Sequence, residues 1–557
     1  MISRFDRSMR WLAARDRQLM ILVALTVVGL LLRWIFAIGA ALGDDDSYVS
    51  LVKAILRGEY PAVGTMGVVE YRPAWFLPIA ASIRLLGWTP RGLVLYPIVT
   101  GAFLPLLTAL WLRRHLPGES RAPVLCALIL ACYPTLFVDS LMLVNDTAVI
   151  FWCLVSVNLF GSAYSRMIDA PHSGRDPLAW TGLSLLAGAS FAAAYQAKIT
   201  AIPTLGLWLA TELFLLVNRR GWPERKRWSA ILLAAVVFLL PSLAVQCFYK
   251  AKTGHFLGNI TGEMQSYEIL VPESYFRGQL SVKANLWPYV EQLFFPYGSE
   301  GFKVYLHGAW IFVTPALGLL AALFWRRLRA PERSVALVFL CSAIAVFLFL
   351  EFWPSKLVPY YLPNSFTGRS WRYVDVLAPS LAACVSVILT LPGVFDGWLL
   401  RALRNGFLCG CFGVAGYSLV VRYHGFQDST VDCRLAAEAA RGPLAAYFRL
   451  PQLADPEGCE QLAQALGWPD DSPLRPMPTH VLDLRNSPPV CLWTGGSRRQ
   501  GMNADASWAP DRLEVLGGEV VLLHTFPGLQ RNWRPRVLQW WFFRPKPMDA
   551  HATEPQR

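Results

Sequence analysis

Apolar stretches of about 20 residues, each long enough to cross a bilayer, follow one another along most of this chain, with short polar connections between them. The first is "LMILVALTVVGLLLRWIFAIGAALG", residues 19–43. The pattern predicts roughly eleven spanning helices, near 19–41, 92–112, 122–138, 145–164, 178–196, 199–217, 229–248, 309–325, 334–352, 373–391 and 405–421. Lys198 and Pro203 interrupt the 178–217 region, which holds the fifth and sixth of these. Beyond residue 421 the pattern stops, and Pro and charged residues become frequent. Three further stretches between spans are long: 42–91, 249–308 and the aromatic, basic "EFWPSKLVPYYLPNSFTGRSWRY".

Composition supports the membrane reading. The 557 residues are 54% hydrophobic and 16% charged, whereas soluble domains carry about 25% charged residues. Mean hydropathy is +0.38. The net charge of +13 comes largely from separate membrane-edge clusters: Arg4 to Arg17; Arg113 and Arg114; Arg219 to Arg227; Arg326 to Arg333. Such clusters mark cytoplasmic connections, so the N-terminus is expected inside, in the inner membrane of a bacterium. Because the arginines form no single patch, nucleic acid is not an expected partner. The first run is too long for a cleaved signal and lacks a small-residue cleavage site.

On this topology residues 1–421 form the membrane domain and 422–557 a small α/β domain outside. In that tail "DCRLAAEAARGPLAAYF" reads as a helix and "RLEVLGGEVVLLHTF" as a hairpin around Gly517-Gly518. In the first outer loop "DDDSYVSLVKAILRGEY" has the spacing of an amphipathic helix. Cys433, Cys459 and Cys491 lie in the tail, where an oxidising compartment allows one disulfide; the remaining cysteines sit in apolar segments as packing residues. No P-loop and no zinc-ligand spacing occurs, so cytosolic nucleotide hydrolysis is not expected. Asn145-Asp146-Thr147 and Asn259-Ile260-Thr261 match a glycosylation sequon by chance.

Candidate chemistry gathers on the outer side. Asp44, Asp45 and Asp46 are adjacent where the first span surfaces. One aspartate suffices as a helix N-cap, while three neighbours repel and raise one another's pKa. Such a cluster suits a general base or a metal site facing a low-dielectric cleft. Asp139 and Asp146 flank the next outer turn, and an acid opening a spanning helix marks function more strongly than one hydrated at the interface. Arg72, Lys198, Arg369 and Arg372 fall on the same face. Arginine and lysine at a membrane edge snorkel by default, but Lys198 stands alone in a very short connection. Acids with scattered cations suit a reaction that deprotonates a hydroxyl and releases a phosphate.

These elements resemble the GT-C glycosyltransferases, in particular protein O-mannosyltransferases and lipid A aminoarabinose transferases. Over roughly residues 15–420 the likeness rests on "GDDDSYVSLVKAI" after the first helix, with Tyr48 at an aromatic position; Glu70-Tyr71-Arg72-Pro73; Asn145-Asp146 opening a later helix; "GLSLLAGASFAAAYQAKITAIP"; and Arg372-Tyr373 followed by Pro379. The family's acidic pair is here three aspartates, and no Pro-Pro follows Arg72. The tail matches no family element.

The resemblance implies a polytopic α-helical GT-C fold with extracytoplasmic juxtamembrane helices. It also implies an inverting sugar transfer from a polyprenyl-phosphate donor to a glycan, lipid or protein hydroxyl. Asp45, or Asp44, would be the general base. Arg72, Lys198 and Arg372 would hold the lipid phosphate, with Asp46, Tyr48, Arg369 and Tyr373 among the substrate-binding residues. Asp146 would share a divalent metal (Mg or Mn) with Asp45, or orient the acceptor or a phosphate-binding cation. Three other readings remain: a membrane transporter, which calls for repeated halves and midplane charges, a polyprenyl-diphosphate-dependent glycan polymerase or ligase, and a noncatalytic assembly scaffold bearing the tail domain. No paired repeat is visible, and the candidate charges lie at one surface.

Overall fold

Outward-facing apolar side chains set the architecture. In a computed structural model, which describes residues 2–39, 45–59, 72–117, 120–173, 177–198, 201–220, 228–254, 256, 297–298, 301–302, 326, 328–352, 375–391, 394–440, 490–494, 518–526 and 538–545, α1 runs Ile2–Ile35. Its Met20, Val28, Leu31 and Ile35 are exposed, whereas Leu22, Thr26 and Arg33 are buried. A helix with its polar stripe inward and its apolar face outward is inverted relative to a soluble helix. The hydrocarbon of a bilayer is the solvent that suits it.

The helices that follow are α2 (Asp45–Leu56), α3 (Pro73–Leu86), α4 (Pro90–His115), α5 (Ala122–Ala131), α6 (Pro134–Asp139), α7 (Asp146–Ser173), α8 (Pro177–Ala197), α9 (Ala201–Arg220), α10 (Trp228–Thr253), α11 (Ala330–Phe352), α12 (Ala378–Leu389) and α13 (Trp398–Ala440). Among the described residues four stretches are long and apolar enough to span a membrane: Arg17–Ile35, Pro90–His115, Asp146–Ile168 and Ser229–Lys252. The chain is therefore a polytopic α-helical membrane protein.

Two details depart from the hydropathy pattern. The run at 122–138 is broken into α5 and α6. Pro134 opens α6, and the residue before a proline is driven out of the helical region; Tyr133 accordingly has φ −71° and ψ 116°. At the other end, α13 continues without a break past residue 421, where the composition changes, and carries the predicted tail helix as far as Ala440.

The chain forms two units. The first comprises Met1–Ala37, Ala54–Ala80 and Leu95–Val420, the second Ile38–Lys53, Ala81–Val94 and Val421–Arg557. In the first unit α12 is the central element, with all twelve of its residues buried. Its small side chains allow close helix approach, and the Ser380, Ser386 and Thr390 hydroxyls donate to carbonyls of the preceding turn. Leu104 and Trp111 of α4, Ile150 and Leu154 of α7, Leu205 of α9 and Val385 of α12 belong to one apolar core. Small residues also set the contact of α8 with α10, where a Cβ on Gly188 would collide with the Phe238 carbonyl.

In the second unit the α2 pattern is realised: Tyr48, Val49, Leu51 and Val52 are buried. A three-stranded antiparallel sheet, ordered β3-β5-β4, is built from β3 (Val490–Thr494), β4 (Gly518–Phe526) and β5 (Leu538–Pro545). Gly518 of β4 pairs with Pro545 of β5. The expected partner arm of the 517–518 hairpin lies outside the described residues. In the first unit, a short antiparallel pair of two-residue strands, β1 (Tyr297–Gly298) with β2 (Gly301–Phe302), falls within the 249–308 loop.

Candidate active site

The loop between α6 and α7 is buried throughout, from Ser140 to Asn145. It brings the N-terminus of α7 beside the C-terminus of α8. Asn145 donates its Nδ2 amide to the Ala197 carbonyl at 3.0 Å, tying the two ends together. That bond and the near-complete burial of Asn145 remove it as a glycan acceptor, in keeping with a chance sequon. The register then places the next residues, Asp146 and Lys198, face to face. Lys198 Nζ donates to Asp146 Oδ1 at 2.6 Å, with side-chain exposures of 9% and 7%.

Neither charge would be stable here alone. A buried ion is tolerated only when paired and hydrogen-bonded, and each supplies the other's counter-charge. The N-terminal position of Asp146 on α7 adds the favourable end of the helix dipole. The pair thus holds an ammonium in a fixed, largely dehydrated position. Around it, the Thr147 and Thr100 hydroxyls lie 3.4 Å apart, linking α7 to α4. Trp152 Nε1 donates to the Tyr96 hydroxyl at 2.6 Å, and Tyr96 donates onward to the Ala74 carbonyl of α3. Arg72, half-buried, immediately precedes α3, and its carbonyl accepts from the Trp75 and Phe76 amides.

The other predicted residues are placed as follows. Asp45 and Asp46 begin α2, and Tyr48 is 2% exposed one turn along. These three belong to the second unit, whereas Arg72, Asp146 and Lys198 belong to the first. Asp44, Arg369, Arg372 and Tyr373 lie outside the described residues. Asp139 is completely buried at the end of α6 and so is not the hydrated interfacial acid that its sequence position permits.

Hydropathy concealed three buried charges. Arg33, inside the first apolar run, is 1% exposed; its Nε donates to Ser140 Oγ at 2.7 Å and its guanidinium lies 4.5 Å from the Phe137 ring centre. Asp375, in the helical turn before α12, accepts from the Thr135 hydroxyl. Glu212, in the second half of α9, accepts from Trp111 Nε1 at 2.9 Å, Arg114 Nη1 at 3.0 Å and His115 Nε2 at 2.7 Å. The Glu212 cluster sits at the far end of α4 from Thr100, so buried charge is not confined to one surface. Gly161 lets it form, since a Cβ there would run into Arg114 and Glu212.

No protein-family model matches the chain, and no curated protein does. Among solved structures it is similar to ArnT from Cupriavidus metallidurans, in the apo state and bound to undecaprenyl phosphate. Each comparison has a TM-score of 0.48 and 16% identity, over 93% of this chain and 97% of that one. It is also similar to the archaeal oligosaccharyltransferase AglB from Archaeoglobus fulgidus in complex with an inhibitory peptide and a dolichol-phosphate. There the TM-score is 0.42 and the identity 13%, over 79% of this chain and 63% of that one.

Proposed function

We propose that this chain is an inverting glycosyltransferase of the cell envelope. It would take a sugar from a polyprenyl-phosphate donor and pass it to a glycan, lipid or protein hydroxyl on the extracytoplasmic face of a bacterial inner membrane. The observation that carries this reading is the buried Asp146–Lys198 pair: an ammonium held in a fixed position, in a chain that also opens α2 with consecutive aspartates.

In the reaction, Asp45 or Asp44 accepts the proton of the acceptor hydroxyl as its oxygen attacks the anomeric carbon. The new carbon–oxygen bond forms as the bond to the phosphate oxygen breaks, and the configuration inverts. The electron pair leaves with the polyprenyl phosphate. Negative charge grows on that phosphate in the transition state, so fixed cations in a water-poor setting stabilise it most. Lys198 supplies one such cation, and Asp146 positions it and keeps it charged. Arg72 and Arg372 complete the phosphate set, while Asp46, Tyr48, Arg369 and Tyr373 line the donor or acceptor.

A Mg or Mn ion held by Asp45 and Asp146 fits poorly with a carboxylate already neutralised by Lys198. Loss of transfer in a chelator, with rescue by Mg or Mn, would return Asp146 to a metal-ligand role.

Radiolabelled polyprenyl-phosphate sugars offered to the purified protein with candidate acceptors test the proposal. Transfer of label from one donor, with inverted anomeric configuration, is the expected result. Failure of a full donor panel, or transfer only from diphosphate-linked glycans, overturns it.

A further inference from the structure

Within the first unit, a cavity of about 640 Å³ is lined by residues that include Arg121, Arg329, Arg401 and Arg404. It lies at the end of α4 remote from the Asp146–Lys198 pair: Thr100 faces Thr147, and α4 continues from there to His115, about 22 Å at 1.5 Å per residue. The four guanidiniums come from three separate places in the chain. Arg121 precedes α5, Arg329 precedes α11, and Arg401 and Arg404 lie in the first two turns of α13. The positive-inside pattern accounts for basic residues at this edge. It does not account for their convergence on one concavity.

Two acids share the lining, Glu332 and Asp396. Glu332 Oε2 accepts from the Arg329 backbone N–H at 2.7 Å, so it is engaged in capping α11. The Asp396 backbone carbonyl accepts from Arg401 Nη2 at 3.0 Å, and the Arg404 guanidinium lies 5.6 Å from the Phe395 ring centre. Two of the four guanidiniums are thus oriented by neighbours within their own segment. Against four arginines the lining sets two carboxylates, Glu332 and Asp396. The cavity retains a surplus of positive charge carried by groups with the fork geometry suited to phosphate oxygens.

We infer that this cavity binds a phosphate-bearing anion, and that its source is the headgroup of an anionic membrane lipid. The lipid source follows from the surroundings of Arg401 and Arg404. On the same two turns of α13, Trp398 (81% exposed), Leu399, Leu400 and Leu403 point outward. Those side chains present an acyl-facing surface beside the guanidiniums. Basic pockets between spanning helices at a cytoplasmic edge hold lipid headgroups by this combination. The site would be distinct from the donor site, and its failure would leave the Asp146–Lys198 proposal untouched.

The test is lipid retention by the full-length protein in nanodiscs of phosphatidylcholine doped with phosphatidylglycerol. Wild type should retain phosphatidylglycerol several-fold over phosphatidylcholine, and Arg401→Gln with Arg404→Gln should erase that preference. Arg404→Lys, which keeps the charge, should retain part of it. A second arm measures thermal stabilisation of wild type in detergent by phosphatidylglycerol and by inorganic phosphate. Stabilisation by the lipid alone supports the headgroup assignment, whereas equal stabilisation by inorganic phosphate would overturn the lipid source. Wild type without preference for phosphatidylglycerol, or a double variant that folds and keeps the preference, overturns the site.

Discussion

Asp146 and Lys198 are separated by 52 residues and meet at 2.6 Å, and both were legible in the sequence because each is a charge isolated among apolar residues. Their pairing was not, since it depends on how the α6–α7 loop folds back onto the end of α8. Arg33 and Glu212 were missed for the opposite reason: one charge inside a long apolar run barely lowers its hydropathy, and its partners lie on other helices. The roles differ, and substitution separates them. Glu212→Gln leaves Arg114 without its counter-charge and disturbs the buried hydrogen bonds to Trp111 and His115, and should destabilise the protein by ~2–4 kcal/mol, read as a lower melting temperature in detergent. Donor binding by the folded fraction should be unchanged. For the aspartate cluster, Asp45→Asn and Asp44→Asn should each reduce transfer severely with insertion intact, because an amide accepts no proton. Asp46→Asn should be milder, since the pattern that the chain resembles has only two acids. Near-normal transfer by the Asp44→Asn, Asp45→Asn double variant would remove the general base.

At the scale of elements, hydropathy located most of the described spans because lipid-facing residues are apolar all along the helix. It did not mark the break at Tyr133–Pro134, since Pro134 is apolar and the run continues past it. Nor did it foresee that α13 would pass through the compositional boundary at 421, because helix propensity carries on where hydrophobicity stops. The strand β4 was legible from its apolar residues after Gly517-Gly518, but its partner β5 lies beyond the local window that hairpin signals use. Helix contacts built on small residues give a direct check. At Gly188, the atom in the way of a new Cβ is backbone, the Phe238 carbonyl, so no rotamer change relieves the clash. Gly188→Ala should therefore push α8 from α10 and cost about 1–3 kcal/mol, measured by thermal melting. Gly182→Ala, on the same helix with open space at its Cβ, should be close to neutral.

For the whole molecule, the arginine clusters predict that odd-numbered connections and the tail face outward. A reporter active only outside the cytoplasm, fused after residue 557, should be on, and one fused within 219–227 should be off. The reverse pattern would put the aspartates and Lys198 on the wrong side for a polyprenyl-phosphate sugar presented outside. Removing residues 441–557, beyond the end of α13, should impair transfer to the natural acceptor more than donor binding if the tail recognises acceptor. The central claim is narrower: a buried ammonium, held by Asp146, grips the donor's phosphate. Equilibrium titration of purified wild type and Lys198→Ala with polyprenyl phosphate, with both proteins shown folded by melting, tests it most directly. Binding by wild type that weakens at least tenfold in Lys198→Ala is the predicted result; equal affinity of the two proteins would contradict it.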